Sequence, residues 1–388
     1  MRSALAPQGH SQWPTKPLSS CIEKVVVPYK VPKKDFLENG RLPVVSQEAG
    51  LINGYWNNDQ HAIDVDEPIV VFGDHTQVLK LVDFDFVVGA DGVKILKPKN
   101  FLDASFLRYF LEANPVPSLG YARHYRHISA LPVPLPALEE QKRIVAILDQ
   151  VFAALDRARA HAEANLADSR ELLANSLNSL FLGLAASVDV VPLEDVAHPD
   201  CTLSYGIVQP GDDVESGLPV VRPVDLKQRV ITPESLKKID PDRASGYART
   251  RLVGGELLLC VRGSTGEVSI AAQELTGANV TRGIVPIRFK AGKVLPEFAY
   301  FQFRSKFIRD QIAAKTYGAA LMQINIKDLR KLSFIVPPVS VQQEFAAHAE
   351  QLLDRASRLC AAYEATLTDL TSLRQSLLQQ AFSGQLTQ

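Results

Sequence analysis

The chain lacks most of the features that would place it in a secreted, redox or membrane class. Its four cysteines, Cys21, Cys201, Cys260 and Cys360, are scattered and form no Cys-x-x-Cys pair. That argues against a zinc site or a disulfide framework and fits a reducing, cytoplasmic setting. No run of about eighteen apolar residues occurs, so nothing is expected to span a membrane. The opening MRSALAPQGHSQWPTKP has no apolar segment and does not read as a secretion signal. Phosphate-binding signatures are missing too: there is no GxxxxGK[ST] loop, and no glycine-rich cofactor loop follows a strand at the expected spacing. His124 and His127 stand three apart without a third ligand cluster, so no metal is expected. Overall charge is nearly absent, at −1, which by itself argues against a polyanionic partner.

The distribution of charge says otherwise. Residues 1–134 carry 14 basic and 14 acidic side chains, residues 135–187 carry 5 and 7, residues 188–337 carry 20 and 17, and residues 338–388 carry 3 and 5. Between Arg222 and Lys331 the balance is 20 basic against 10 acidic. A local cation of that size attracts phosphates even in a neutral chain, although a solvated basic surface would look the same.

A long-period repeat comes next. LPVPLPALEEQKRIVAILDQVF at 131–152 switches from alternating prolines to an uninterrupted helical pattern, and LSFIVPPVSVQQEFAAHAEQLL at 332–353 does the same. Sliding residues 136–184 by 201 positions onto 337–385 gives 14 identities in 49 positions without a gap. They include Pro136/Pro337, Gln141/Gln342, Leu172/Leu373, Phe181/Phe382 and Gly183/Gly384. Each copy predicts one helix, the first near 138–183 and ~70 Å long. Proline favours its start, Glu139 and Glu140 complement its dipole, and Gly183 and Gly384 are expected to end the two helices. The apolar seam is expected to run Ile144, Leu148, Val151, Leu155, Ala158, Ala162, Leu166 in the first copy. In the second it runs Phe345, Ala349, Leu352, Ala356, Leu359, Tyr363, Leu367. The spacing is the same in both, including one stutter, which predicts that the helices pair with each other as a coiled coil. Burial in two separate cores is the alternative.

The other segments are mixed. In the first, strands are expected near 68–72, 77–82, 84–88 and 93–97, with a helix near 104–112. Asp83 and Asp85 alternate on one of these strands and read as structural. In the second, GLPVVRPVDL, GELLLCVRGSTGEVSIA and RGIVPIRFK read as strands and 296–314 as a helix. Gly120-Tyr121 and Tyr317-Gly318 precede the two proline switches. The fold class is therefore α+β. Two mixed domains, 1–134 and 188–337, are joined by helices at 135–187 and 338–388, in an internal repeat with pseudo-two-fold character.

LPVPLPALEEQKRIVAILDQVFAALD with its weaker repeat IVPPVSVQQEFAAHAEQLLD, GELLLCVRGSTGEVSI, and GYARHYRHISALPVPLP together resemble the specificity subunits of type I DNA restriction-modification systems, over essentially the whole chain. The resemblance implies two target-recognition domains, each reading half of a split, asymmetric double-stranded DNA site. It implies antiparallel helices that set the spacer, and assembly with two methyltransferase subunits and with restriction subunits in phage defence. Catalysis would belong to those partners, with S-adenosylmethionine on the methyltransferase and ATP and Mg on the restriction subunit; this chain would be no enzyme and hold no cofactor of its own. One departure is Ser340-Val341, which stands where the first helix has Glu139-Glu140. NPVP at 114–117 is similar to the NPP-aromatic motif of adenine methyltransferases but lacks its consecutive prolines and its aromatic residue.

Phosphate contacts would position each domain, and base-edge contacts would specify. The candidate DNA-binding residues are ranked by environment. Arg262, Gly263, Ser264 and Thr265 lie in a flexible polar loop between apolar strands; Gly73, His75 and Thr76 form the matching loop of the first domain. Asp74 would there accept from a base amino group or from His75. Arg123, His124, Tyr125 and Arg126, with Lys315 and Tyr317, flank the domain ends. Arg249, Arg251 and Arg282 suit phosphate, and Tyr29, Lys33 and Lys34 form a basic-aromatic cluster. The alternative function is a coiled-coil scaffold that binds no DNA.

Overall fold

The computed structural model describes residues 13–117, 123–185, 188–318 and 322–386. Two long helices, Leu138–Ala185 and Val339–Ser383, dominate it. The first begins two residues after Pro136 and the second directly after Pro338. The first has Glu139 and Glu140 in its opening turn, and the second has no acid there. Gly183 does not end the first helix, which runs on to Ala185: an isolated glycine costs a helix only ~1 kcal/mol and does not stop it. Gly384 does end the second. It takes a left-handed φ of +80°, and the Gln385 amide reaches back to the Gln380 carbonyl at 3.0 Å.

The chain divides into two compact units, Met1–Glu163 with Glu364–Gln388, and Ala164–Tyr363. Each therefore contains one mixed domain, half of one long helix and half of the other.

In the first unit, Ile22–Glu23, Val93–Pro98, Ile69–Gly73 and Leu79–Val82 form one sheet in that order. Lys30–Val31, Val87–Gly89, Leu42–Val45 and Gly54–Trp56 form a second. Helix Ala104–Ala113 covers the first sheet. It is capped by Asp103, whose side chain accepts from the Phe106 amide. Asp83 and Asp85 fall outside the strands, and the Asp85 carboxylate accepts from the Val65 amide at 2.8 Å. The helix-half segments run antiparallel. Arg374 reaches Asp156 and Glu112 at 3.5 Å and lies 3.9 Å over the Phe152 ring, while Arg159 meets Thr371. Ile144, Leu148, Phe152, Leu378 and Ala381 bury themselves with Phe106 and Leu107 in one core.

The second unit repeats this plan. Val230–Ile231, Val268–Ala271, Leu257–Cys260 and Ile284–Ile287 form one sheet; Lys237–Ile239, Leu218–Val221 and Asn279–Val280 form another. Leu42–Val45 and Leu218–Val221 both read LPVV, and they pair in parallel with Val87–Gly89 and Asn279–Val280 respectively. The helix expected at 296–314 is two helices, Pro296–Arg304 and Lys306–Lys315, because Ser305 between them is extended (φ −68°, ψ 155°). Phe181 packs on Phe345 with ring centroids 4.3 Å apart, inside a core shared with Leu177, Phe298 and Ala349.

Most of the expected seam is inward: Ile144, Leu148, Ala162, Phe345 and Ala349 are buried, and Ala356 and Tyr363 are half-buried. After Leu148 the buried residue is Phe152, with Val151 only half-buried on the flank and Ala158 exposed. In the second helix Cys360 is half-buried and Leu359 is 46 % exposed. Leu352 shares its half-burial with Leu353. Leu155, Leu166 and Leu367 are half-buried. Phe152 thus adds to the expected seam beside Val151, and Ala158 and Leu359 are the two expected positions that lie exposed. The opening turns pack on a domain as well as on a helix, which buries Phe152 outside the heptad spacing.

An equivalent glutamine helps couple each long helix to its domain. The fully buried Gln141 accepts from the Asp103 amide at 2.8 Å and donates to the Phe101 and Pro136 carbonyls at 2.9 and 3.0 Å. The fully buried Gln342 accepts from the Leu295 amide at 2.8 Å and donates to the Lys293 and Pro337 carbonyls, both at 2.7 Å. Buried amides must find partners, and here both find the same set.

Candidate nucleic-acid interface

In both units a loop leaves the middle of a sheet and is tied to the segment before a short helix. In the second unit the loop is 262–266, between Leu257–Cys260 and Val268–Ala271. Its turn needs left-handed backbone at Gly263 (φ +89°) and Gly266 (φ +97°), which glycine adopts without cost. The Gly263 amide and the Thr265 hydroxyl both donate to the Met322 carbonyl at 2.9 Å, and Arg262 bridges to Gln323. Tyr317 bridges to the same Gln323. These contacts fix the backbone of Arg262 while its half-exposed guanidinium has no ion pair among the described residues.

Tyr205, which the sequence did not single out, joins this face. Its hydroxyl lies 3.4 Å from the Ile324 carbonyl, and burial, with Tyr317 beside it, pushes its phenol up in pKa. Arg282 stands close enough to oppose that shift, and its amide donates to Ile207. Arg262, Arg282, Tyr205 and Tyr317 thus form one cationic, aromatic surface. Arg251 does not belong to it. Its carbonyl accepts from Arg288, which also pairs with the buried Glu256 just before strand Leu257–Cys260, at the opposite end from Arg262. Arg249 is exposed on a separate turn and Lys315 is half-buried in the last turn of its helix.

In the first unit the loop is 73–77. The Thr76 hydroxyl donates to the Gln47 carbonyl at 2.6 Å and the His75 amide to the Gln47 side chain at 3.3 Å. Asp74 is only 2 % exposed, so it faces no base and does not pair with His75 as expected; its carboxylate accepts from the Tyr125 amide at 2.7 Å. His124 is likewise fully buried, its Nδ1 donating to the Asp74 carbonyl at 2.8 Å, and Gly73 is buried; neither is placed to touch DNA. Arg123 and Arg126 are exposed on either side, and Lys94 lies over the Tyr125 ring at 5.3 Å. Gly120-Tyr121 lies outside the described residues. Lys33 pairs with Glu48 at 2.5 Å, Lys34 is exposed, and Tyr29 stacks on His61 at 4.1 Å, beside Trp56. The ladder between Leu42–Val45 and Gly54–Trp56 separates this aromatic cluster from Gln47.

The two loops are equivalent by their hydrogen bonds. Asp74 donates to Gly92 at 2.6 Å and accepts from the His124 amide at 2.9 Å; Val261 donates to Gly283 at 2.8 Å and accepts from Ile324 at 3.1 Å. His75 therefore stands where Arg262 stands, and Asp91 where Arg282 stands. The frame is kept and the exposed chemistry differs.

Beneath the first loop, Lys80 is buried and donates to Asn53 at 2.8 Å. Burial lowers its pKa to about 8, against the raising effect of Glu48. Its folded pKa is below the unfolded one, so the unfolded chain holds more protons between about pH 8 and 10.5, and stability rises with pH across that window. Lys80→Met is expected to stabilise the protein at pH 7 by about 1–2 kcal/mol and to flatten that slope, as read by denaturant titration at pH 7 and 9.5. Burial likewise raises the thiols of Cys21, Cys201 and Cys260. Among the described residues no cluster of His, Cys, Asp and Glu could hold a metal, and no helix is long and apolar enough to cross a membrane.

The repeated frame has a counterpart among known proteins. The family model for the type I restriction modification DNA specificity domain matches this chain twice, over residues 11–164 and 212–366. The chain belongs to that family. It is 25 % identical over 277 residues to the EcoBI specificity subunit of Escherichia coli, a match covering 66 % of this chain and 58 % of that relative. The chain thus spans under two thirds of that relative's length. To the EcoR124I/EcoR124II specificity subunit, also of E. coli, it is 22 % identical over 371 residues, covering 89 % and 87 %. Two solved structures share the fold. One is a chain of a type I R-M system studied for its complex assembly and conformational transition (TM-score 0.69, 18 % identity, 99 % and 100 % covered). The other is the HsdS subunit of Thermoanaerobacter tengcongensis (TM-score 0.55, 19 % identity, 99 % of each). Both family segments run through a mixed domain into its long helix, so the family's unit is the same domain-plus-helix unit that Gln141 and Gln342 tie together.

Proposed function

We propose that the chain is the DNA-reading specificity subunit of a type I restriction-modification complex, each unit reading one half of a split target, with catalysis left to partner methyltransferase and restriction subunits. The observation that carries this is one hydrogen-bonded frame used twice with different exposed residues: Arg262 and Arg282 in one copy, His75 and Asp91 in the other. Arginine suits the O6/N7 edge of guanine, and histidine offers a different edge. A scaffold would have no use for two diverged loops on a preserved frame. The test is selection from a random double-stranded DNA library by the chain coexpressed with its methyltransferase. A split motif supports the function; unselected binding opposes it.

The repeat also bears on partners. Several identities between the helices are exposed, with one member in each unit, among them Arg157/Arg358, Asp168/Asp369 and Leu172/Leu373. Leu172 is 65 % exposed and Leu373 47 %. Identical exposed surface on each of two units suits the same partner bound twice. Two methyltransferase subunits per chain are expected by native mass spectrometry. Leu172→Asp and Leu373→Asp should each cost one copy and together both; unchanged stoichiometry would remove these surfaces from the interface.

The helices run from one unit into the other and are proposed to fix the spacer between half-sites. Seven residues inserted after both Ala158 and Leu359 add ~10.5 Å of helix, worth about three base pairs of spacer. The selected motif should gain spacer and keep both half-sites. Insertion in one helix alone should cripple assembly.

A further inference from the structure

We infer that Asp74 is a positioning residue for base selection by the first unit, acting through the Tyr125 amide. The inference rests on the DNA-reading function proposed above.

The second unit shows what the junction needs for packing alone. Its loop and its pre-helix segment meet through Val261 and Ile324, both 1 % exposed. The corresponding pair in the first unit is Asp74 and His124, at 2 % and 0 %. Both pairs make the same backbone bonds, so neither side chain of the polar pair is required to form the junction. Burying a carboxylate and an imidazole where two aliphatic side chains fit costs stability unless every polar atom is used.

What the polar pair adds includes two side-chain bonds that the apolar pair cannot make: His124 Nδ1 donates to the Asp74 carbonyl within the junction, and one bond from Asp74 reaches the helix beyond it. The Asp74 carboxylate takes the Tyr125 amide at 2.7 Å, at the start of the short helix Tyr125–Ile128. In the second unit the equivalent helix, Ile326–Arg330, is capped by its own Asn325, which accepts from Asp328. His124 supplies no such cap in the first. Asp74 thus joins three segments: its amide holds Gly92, its carbonyl holds His124, and its carboxylate holds Tyr125. The exposed residues this fixes in register are His75 and Thr76 on one side and Arg123 and Arg126 on the other. Groups that read base edges discriminate only when held in place.

The experiment uses the full chain with its methyltransferase and reads base preference from selected DNA, with thermal melting in parallel. Asp74→Ala should reduce discrimination about tenfold or more at one or two positions of a single half-site and leave the other half-site unchanged. Asp74→Asn keeps an acceptor for the Tyr125 amide and should restore selection. The double variant Asp74→Val with His124→Ile takes the second unit's own side chains, so it should fold even if Asp74→Ala does not, and should show the same relaxed half-site. Full selection by either the alanine or the double variant, or a loss of affinity uniform over all sequences, would make Asp74 a structural residue and overturn the inference. Failure of the DNA-reading function is a separate outcome, seen as no split motif for the unaltered chain.

Discussion

Replacing Gln141 with leucine should cost about 3–5 kcal/mol and loosen the first long helix from its domain. The side chain satisfies one amide and two carbonyls, all within 3.0 Å, in a fully buried site. Leucine has nearly the same volume, so little is lost in packing. What remains is three backbone groups without partners, each costing ~1–3 kcal/mol, partly relieved by relaxation. Gln342→Leu should behave alike in the second unit, because its three bonds fall on equivalent groups. Chemical denaturation measures both. The two variants lie in separate units, so their effects should add. A cost under 1 kcal/mol for either would mean that the clamp does not couple helix to domain.

Arg262→Ala is expected to weaken DNA binding by ~1–3 kcal/mol and to relax choice at one base position. The backbone on both sides of this arginine is tied to Met322 and Gln323, so the side chain leaves from a fixed point. No carboxylate competes for it among the described residues, in contrast with Arg288, which Glu256 holds. The second half-site should be read from the first unit, where His75 occupies the equivalent place, and its motif should not change. Uniform weakening on all sequences with a shallower salt dependence would make Arg262 a phosphate contact. Unchanged affinity would take the loop out of the interface.

The long helices were legible because a 201-residue shift aligns them without gaps, and position-by-position identity survives where both copies face the same surroundings. Strand positions were legible from apolar runs between glycines. The exceptions within the seam were not: the burial of Phe152 beside Val151 comes from the domain packed against the helix, and heptad spacing carries no record of it or of the exposure of Ala158 and Leu359. The site was legible only in part. Arg262 stood out because a cation sits in a glycine-bounded loop between apolar strands. Asp74 and His124 were misjudged because polar residues in a loop read as exposed, whereas here they replace Val261 and Ile324 in a buried junction. Tyr205 carried no local signal, since its place beside Tyr317 and Ile324 comes from contacts more than a hundred residues away in sequence. LPVV at 42–45 and 218–221 was a repeat in plain view, hidden by the unequal lengths of the loops around it.

The most direct test is to map methylated adenines across the genome of a host carrying this chain with its methyltransferase. The expected result is a single split, asymmetric motif whose two halves respond independently: Arg262→Ala alters one half and His75→Ala the other, with the spacer constant. Intact assembly with no methylated motif, or with one continuous motif altered by both substitutions alike, would contradict two diverged units reading one target.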